Sequence, residues 1–379
     1  MRILLVGEYS RLHNSLKEGL TALGHEVVLV GNRDGFKDYP VDIYINHSFQ
    51  NKTLHKLKVG VYKLTGIDLG SIEIAYKVKK KLKTLQNFDV IQLINESSFQ
   101  IQPKDEIKLI ELLKSKTDKL YLLSCSYDHT NVKFMLNNGF KYSAITPYLK
   151  DNSLKDFYKF KLHYVNKEFT LLHQYVYGVF TGVIATDMDY HLPLIDDVKY
   201  LGLIPNPINT NKIVYQPLTI EGKIKIFHGI NTHSALTKGN IFFTESLEII
   251  EEKYGNQIEI ATTSNIPYKD YIKLYDDCHI LLDMVYAYDQ GYNALEAMAK
   301  GKVVFTGAEK EWLDYYGLKE DTVVINALPD VDYLVEKLSW LIEHPEKIME
   351  ISKNARAFVE KEHDYKNVAQ KYLDTWIKN

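Results

Sequence analysis

A lone carboxylate, Glu296, sits in the first turns of an apolar helix within the stretch Tyr288-Asp-Gln-Gly-Tyr-Asn-Ala-Leu-Glu-Ala-Met-Ala-Lys-Gly-Lys-Val-Val-Phe-Thr306. A Gly-containing loop precedes this helix, Lys300-Gly301 closes it, and a buried-type strand, Val303-Val304-Phe305, follows. Loop, helix and strand in that order form the ligand-facing edge of a doubly wound sheet, where helix N-termini and backbone amides point at phosphates. An acid at that edge suits a pair of sugar hydroxyls. The flanking Ala294, Leu295, Ala297 and Met298 are unlike a solvent face, whereas the bland alternative is a surface acid paired with Lys300. The run Gly7-Glu-Tyr-Ser-Arg-Leu-His-Asn14 follows the first strand, another place where such a sheet presents a site. Glu8, Arg11 and His13 are candidates there for contact with a ligand or its phosphate, against an equal reading of Arg11 and His13 as exposed first-turn residues. Asp128, in Ser124-Cys-Ser-Tyr-Asp-His129 at the end of a later strand, is equally a binding group or a turn cap.

The elements that must position these groups read as two α/β halves. Strands are expected at Ile3–Val6, Val27–Val30, Ile43–Ile45, Val90–Ile94, Leu120–Leu123 and Gly182–Thr186, alternating with helical patterns such as Leu12, Leu16, Leu20 and Leu23. Strand–helix alternation of this kind implies a parallel sheet covered on both faces. The second half repeats the scheme, with strands at Lys223–Phe227, Ile258–Ala261, Ile280–Asp283, Val303–Phe305 and Thr322–Ile325, and helices at about Lys238 to Tyr254 and at Tyr268–Asp277. The division predicted is a first domain over 1–205, a linker over 206–222, a second domain over 223–360, and a closing helix over 361–379 with Val368, Tyr372 and Trp376 on one side.

Composition narrows the class. The 379 residues suffice for two domains with cores of their own, and a formal net charge of −3 argues against a general nucleic-acid binder. Two cysteines, Cys125 and Cys278, leave no disulfide framework and suit a reducing compartment. No apolar run has the length of a membrane span, and a cytoplasmic protein is expected. Two basic, aromatic stretches, Tyr76 to Lys83 and Lys155 to Tyr164, read either as solvated lysine faces or as peripheral contacts with the inner face of a membrane. Neither a Gly-x-Gly-x-x-Gly fingerprint nor a Walker sequence is present, which counts against a dinucleotide oxidoreductase or an ATPase.

Four segments in order make the chain resemble the GT-B glycosyltransferases, specifically the large retaining family 4. They are Ile184-Ala-Thr-Asp-Met-Asp189 with Ile204-Pro-Asn-Pro-Ile-Asn209, similar to the family's end-of-domain strand and hinge; Phe227-His-Gly-Ile-Asn231 with Thr237-Lys-Gly239; Ile266-Pro-Tyr268 before a helix; and the Tyr288–Thr306 stretch. The fold implied is two Rossmann-like domains facing across a cleft, with the C-terminal helix crossing back to the first. The resemblance implies a nucleotide-diphospho-sugar held by Gly7, Gly229, Asn231, His233, Lys238, Gly239, Ile266, Tyr268, Asp289, Gln290, Gly291, Tyr292, Asn293 and Glu296, with Glu296 on the ribose hydroxyls. It implies catalytic or acceptor-side roles for Lys238, Asp128 and His129. Charge grows on the diphosphate as the glycosidic bond breaks, so a cation and helix amides at the leaving group are what the chemistry needs. Lys238 beside Gly239 supplies the first, against the alternative of a solvated first-turn lysine.

The pattern departs from the family in two places. Tyr288 stands where most members carry a second Glu, with Asp289 one step later, and Thr232-His233 stands near the usual Arg. Asp187-Met-Asp189 spells the metal-binding pair of the other glycosyltransferase fold but follows a late strand, so no metal and no cofactor beyond the donor is expected. The reading is transfer of a sugar from a UDP- or GDP-linked donor to a glycan or lipid-linked acceptor in cell-envelope polysaccharide or glycoconjugate synthesis. A non-catalytic sugar-nucleotide or glycan binder and a GT-B sugar-nucleotide epimerase are the alternatives.

Overall fold

The computed structural model describes residues 1–33, 38–49 and 51–379, apart from the side chain of Tyr268. Seven parallel strands make the first sheet: β1 (Arg2–Val6), β2 (Glu26–Gly31), β3 (Ile43–Tyr44), β4 (Val90–Leu93), β5 (Leu120–Ser124), β6 (Gly182–Ala185) and β7 (Tyr200–Leu203), in the order β3-β2-β1-β4-β5-β6-β7. Five parallel strands make the second: β8 (Ile224–Ile230), β9 (Ile258–Ser264), β10 (Ile280–Leu282), β11 (Val303–Thr306) and β12 (Ile325–Asn326), in the order β12-β11-β10-β8-β9. Residues such as Ile3, Leu4, Leu5 and Val6 alternate between the two faces and are all buried, because helices cover both sides.

Ligands of open α/β sheets bind beyond the carboxyl ends of the strands where strand order reverses. In the first sheet that point lies between β1 and β4, and in the second between β8 and β10. Lys238 follows β8 and Asp283 follows β10, so both stand at the second reversal. The strand β7 is absent from the sequence reading because Tyr200-Leu-Gly-Leu203 is short and bends at Gly202, whose φ is +110°. The helix expected from Lys238 is interrupted at Gly239, where φ is +70° and the chain passes from a short turn, Ala235–Lys238, into the helix Asn240–Tyr254.

The last helix, Tyr365–Lys378, returns to the first sheet. Val368, Ala369, Tyr372, Leu373 and Trp376 share a core with Ile3, Leu5, Leu12, Leu16 and Leu20. Lys119 Nζ donates to Trp376 O at 2.7 Å. The fit to the helix Leu12–Ala22 depends on Gly19, where an added Cβ would stand 2.2 Å from Tyr365 O.

The two sheets are joined by a continuous core. Val132, Met135, Phe140, Ile145 and Tyr158 from the first half pack in one cluster with Phe227, Leu281, Tyr288 and Leu295 from the second. Tyr288 is the pin: it is 2% exposed, its ring lies 4.9 Å from Phe140 and 5.6 Å from Tyr142, and its hydroxyl accepts from Lys141 N at 2.8 Å. Beside it Glu309 pairs with Lys141 Nζ at 2.8 Å and accepts from Tyr142 Oη and Asn326 Nδ2. Burial pushes the Glu309 carboxyl up, but these three donors outweigh it and hold the group below its ordinary value.

Of the two basic stretches, Lys155 to Tyr164 buries Tyr158 and Tyr164 in the first half, whereas Tyr76 to Lys83 lies on the helix Leu69–Thr84 with Tyr76 exposed. No helix among the described residues is long and apolar enough to cross a membrane.

Candidate active site at the domain seam

The helix Tyr292–Lys300 opens at Gly291 and ends at Gly301, which has φ +87°. Its first turn is fixed from two sides. Tyr271 Oη donates to Asn293 Oδ1 at 3.1 Å, and Tyr275 Oη donates to Asn293 O at 2.7 Å. Asn293 Nδ2 in turn donates to Asp283 Oδ1 at 3.0 Å, and the same oxygen receives Lys238 Nζ at 2.7 Å. Thr306 Oγ1 approaches the other Asp283 oxygen at 3.4 Å. The Asp283 carboxylate is fully buried while the Lys238 side chain is 30% exposed, so the pair presents the ammonium outward from an anchored carboxylate. Glu296 lies one turn beyond Asn293, half-buried beside Tyr275 and Tyr292, whose hydroxyls are pushed up first by burial and further by its negative charge.

Glycines allow the backbone to pass closely around this group. A Cβ at Gly239 would stand 2.3 Å from Val285 Cγ2, and one at Gly229 would stand 2.5 Å from Tyr271 Cε2. Lys238 O accepts from Val285 N at 2.9 Å, which ties the loop after β8 to the loop after β10. Asn231 and His233 are exposed: Asn231 Oδ1 accepts from His233 N at 3.0 Å, and Asn265 braces the neighbouring Thr232 through two hydrogen bonds. Ile266 is half-buried at the end of the adjacent loop. Tyr268 opens the helix Tyr268–Asp277, and its side chain lies outside the described residues.

Asp289 and Gln290 face the seam between the domains. Asp289 accepts from Gln290 N at 2.6 Å and from Met188 N of the first domain at 3.1 Å, and Gln290 Nε2 donates to Gly307 O at 2.7 Å. Asp189 accepts from Tyr288 N across the same seam. The half-buried Asp187 and Asp189 and the buried Asp289 thereby gather into one acidic group. Burial pushes Asp189 and Asp289 up to about 7, and burial with its two acidic neighbours raises Asp187 well above the carboxylate range. Among the described residues no group of three or more His, Cys, Asp or Glu side chains could hold a metal ion.

A cavity of about 350 Å³ remains at this seam. Tyr9 and Ser10 after β1, Cys125 and Ser126 after β5, and Thr186 and Asp187 after β6 form its first-domain wall, while Gly291 and Tyr292 close it from the second domain. Gly7 shapes the wall at a distance, since at φ +87° an added Cβ would stand 2.3 Å from Ile94 Cγ2. Tyr292 Oη donates to Pro207 O at 3.1 Å, holding the helix start against the chain between the domains.

Asp128 and His129 stand apart from Lys238, in the first domain. Asp128 caps the helix His129–Leu136 by accepting from Asn131 N at 2.7 Å, and it also accepts from Ser124 Oγ at 2.6 Å. Burial first, and then the nearby Glu96 charge, push its carboxyl up to about 6. His129 is buried, bonded through Nδ1 to Tyr164 O and stacked at 4.4 Å on His173, which pairs with Glu96 at 2.6 Å. Desolvation lowers the His129 value below that of an ordinary imidazole. His13 is interior too: its Nδ1 contacts Gly7 O at 2.7 Å, and burial takes it down to about 3. Arg11 caps its helix in a left-handed conformation and pairs weakly with Glu18. Glu8 accepts from both Asn14 N and Asn14 Nδ2 inside the domain.

Lys238, Gly239, Asn293 and Glu296 are therefore gathered around one strand reversal, and Gly291 and Tyr292 lead from it to the cavity. Asp283 is the member that sequence reading missed. Its signal was there: a carboxylate directly after the apolar run Ile280-Leu281-Leu282 must find a buried cation or amide. Glu96 and His173 are far apart in sequence and left no such signal.

Residues 235–374 match a family model described as glycosyl transferase-like. In fold the chain is similar to HepE from Anabaena, solved in complex with UDP and glucose, at a TM-score of 0.61 and 14% identity over 100% of both chains. It is similar to sucrose-phosphate synthase from Thermosynechococcus elongatus, at 0.60 and 13% over 100% of this chain and 99% of that one. It is also similar to UDP-GlcNAc 2-epimerase from Neisseria meningitidis bound to UDP-GlcNAc, at 0.54 and 12% over 100% of both. At these identities the likeness concerns the fold, which is GT-B. No curated protein matches the sequence.

Proposed function

We propose that the protein is a glycosyltransferase that moves a sugar from a nucleotide-diphospho-sugar, UDP- or GDP-linked, to a glycan or lipid-linked acceptor. The observation that carries this reading is the cluster of Lys238, Asp283, Asn293 and Glu296 at the strand reversal of the second sheet, next to the N-terminus of the helix Tyr292–Lys300. The match of residues 235–374 to a glycosyl transferase-like family supports it, as do the UDP and UDP-GlcNAc bound in two structures of similar fold.

In this reading Glu296 accepts hydrogen bonds from the donor ribose hydroxyls. The ammonium of Lys238, held in place by Asp283, and the amides at the start of the helix Tyr292–Lys300 stabilise the diphosphate as it leaves. The acceptor occupies the first-domain side of the cavity. Its hydroxyl proton passes to the departing phosphate, so that the glycosidic bond to phosphate breaks as the new one forms on the same face, with retention and without a metal. Asp128 and His129 shape the acceptor side from beneath. The product belongs to cell-envelope polysaccharide or glycoconjugate synthesis, with the first domain at the inner face of a membrane.

One observation favours a second reading, a non-catalytic binder of sugar nucleotides or glycans. Tyr288, at the position where family 4 members carry a sugar-contacting Glu, is packed between Phe140 and Tyr142. Incubation with radiolabelled UDP-, GDP- and ADP-sugars separates the two. Release of nucleotide that depends on Glu296 supports transfer. Binding without turnover, even with cell-envelope acceptors, overturns it.

A further inference from the structure

The helix Lys52–Thr65 has no buried residue along its 14 positions, although Leu54, Leu57, Val61 and Leu64 recur on one side of it. Leu64 is 88% exposed and Leu57 and Tyr62 are more than half exposed. The next helix, Leu69–Thr84, continues the pattern with Ile72 and Tyr76 exposed. Helical spacing places Ile72, Tyr76, Lys79, Lys80 and Lys83 on one face, opposite the buried Val78 and Leu82 of that helix. Apolar side chains so placed are left in water unless something covers them.

Charge says what covers them. Residues 52–84 carry nine lysines against two acids, Asp68 and Glu73, in a chain whose formal net charge is −3. Both acids are already engaged, Asp68 near Lys58 at 3.8 Å and Glu73 with Lys77 at 2.7 Å. Lys52, Lys56, Lys63, Lys79, Lys80, Lys81 and Lys83 have no ion-pair partner among the described residues. On the helix Lys52–Thr65, the lysines at 52, 56 and 63 lie on the side away from the Leu57–Val61–Leu64 stripe, the apolar face and cationic face of a helix that lies in a membrane interface. A second copy of so basic a face would be repelled by the first, whereas an anionic lipid surface attracts it.

We propose that the helical pair 52–84 is a docking surface for an anionic lipid membrane, with Leu57 and Leu64 inserted among the acyl chains and the unpaired lysines on the headgroups. This rests on the reading of the protein as an enzyme with a membrane-borne acceptor, and it assigns the contact to residues outside the cleft.

The test is flotation of the full chain with phosphatidylcholine vesicles, with and without phosphatidylglycerol. The wild-type protein is expected to float with the anionic vesicles only and to be released at high ionic strength. L57D/L64D, at exposed positions outside every core cluster, is expected to lose flotation with little change in melting temperature. K79Q/K80Q/K83Q is expected to weaken binding roughly 100-fold, at about one lysine's surface attraction each. Equal binding to neutral vesicles, flotation that survives both variants, no flotation of the wild type at low salt, or a dimer that only L57D/L64D dissolves would each overturn the proposal. Release of nucleotide from a soluble UDP-sugar, measured on the same preparations, tells the two readings apart: turnover without flotation sinks the docking surface alone, and flotation without turnover sinks the enzymatic reading alone.

Discussion

Replacing Tyr288 by alanine removes the pin between the domains. The ring is 2% exposed and packs at 4.9 Å and 5.6 Å on Phe140 and Tyr142, both on the first domain's side of the seam. Truncating a buried aromatic of this size costs about 3–5 kcal/mol. The hydroxyl's acceptance from Lys141 N at 2.8 Å contributes about 1 kcal/mol of that total, so Tyr288→Phe isolates the hydrogen bond from the packing. Because the partners lie across the seam, the loss falls on the closed arrangement before it falls on either sheet. Small-angle scattering should show a larger radius of gyration for Tyr288→Ala, with far-UV circular dichroism unchanged and limited proteolysis newly able to cut near Gly139–Ser143. Tyr288→Phe should remain close to wild type. A Tyr288→Ala protein with the wild-type radius and melting curve would refute the idea that this side chain holds the domains together.

Other perturbations follow from the same geometry. Asp189 and Asp289 titrate near 7 in the folded protein, above their unfolded value, so they contribute stability that is full below about pH 4 and is lost as pH rises through about 7; thermal midpoints from pH 5 to 8 should fall along this window, less steeply in Asp289→Asn. Lys238→Ala leaves the Asp283 carboxylate buried and without its cation, which costs about 3 kcal/mol, and the double variant with Asp283→Asn should recover much of that loss in chemical denaturation. Gly19→Ala drives a methyl against Tyr365 O, so the last helix should detach and proteolysis near His363 should rise while the second domain stays protected.

Much of the fold was legible because buried parallel strands announce themselves as short apolar runs between turn residues. Ile3–Val6, Leu120–Leu123 and Val303–Phe305 are of this kind, and each lies within a strand of the structure. The C-terminal helix carried its apolar face openly in Val368, Tyr372 and Trp376, and those residues pack on the first sheet. Less visible was what depends on distant pairing. Asp289 is an acid in a glycine loop when read locally, and only Met188 N, a hundred residues earlier, makes it part of the domain seam. Tyr288 likewise reads as a lost acid until Phe140 and Tyr142 are seen around it. His13 and His129 read as candidate ligands by position, but a histidine's burial is set by the whole domain, and both prove interior.

The most direct test of the account is donor turnover by the wild-type protein and by Glu296→Gln. A nucleotide-sugar site at the head of the helix Tyr292–Lys300 predicts release of nucleotide from a UDP- or GDP-sugar by the wild type. It also predicts that Glu296→Gln weakens donor binding by about 10- to 100-fold, the loss of a charge-assisted hydrogen bond to the ribose, in a protein that keeps its fold by circular dichroism. Turnover that is indifferent to Glu296→Gln, or a wild-type protein that neither binds nor consumes any nucleotide sugar, would contradict it.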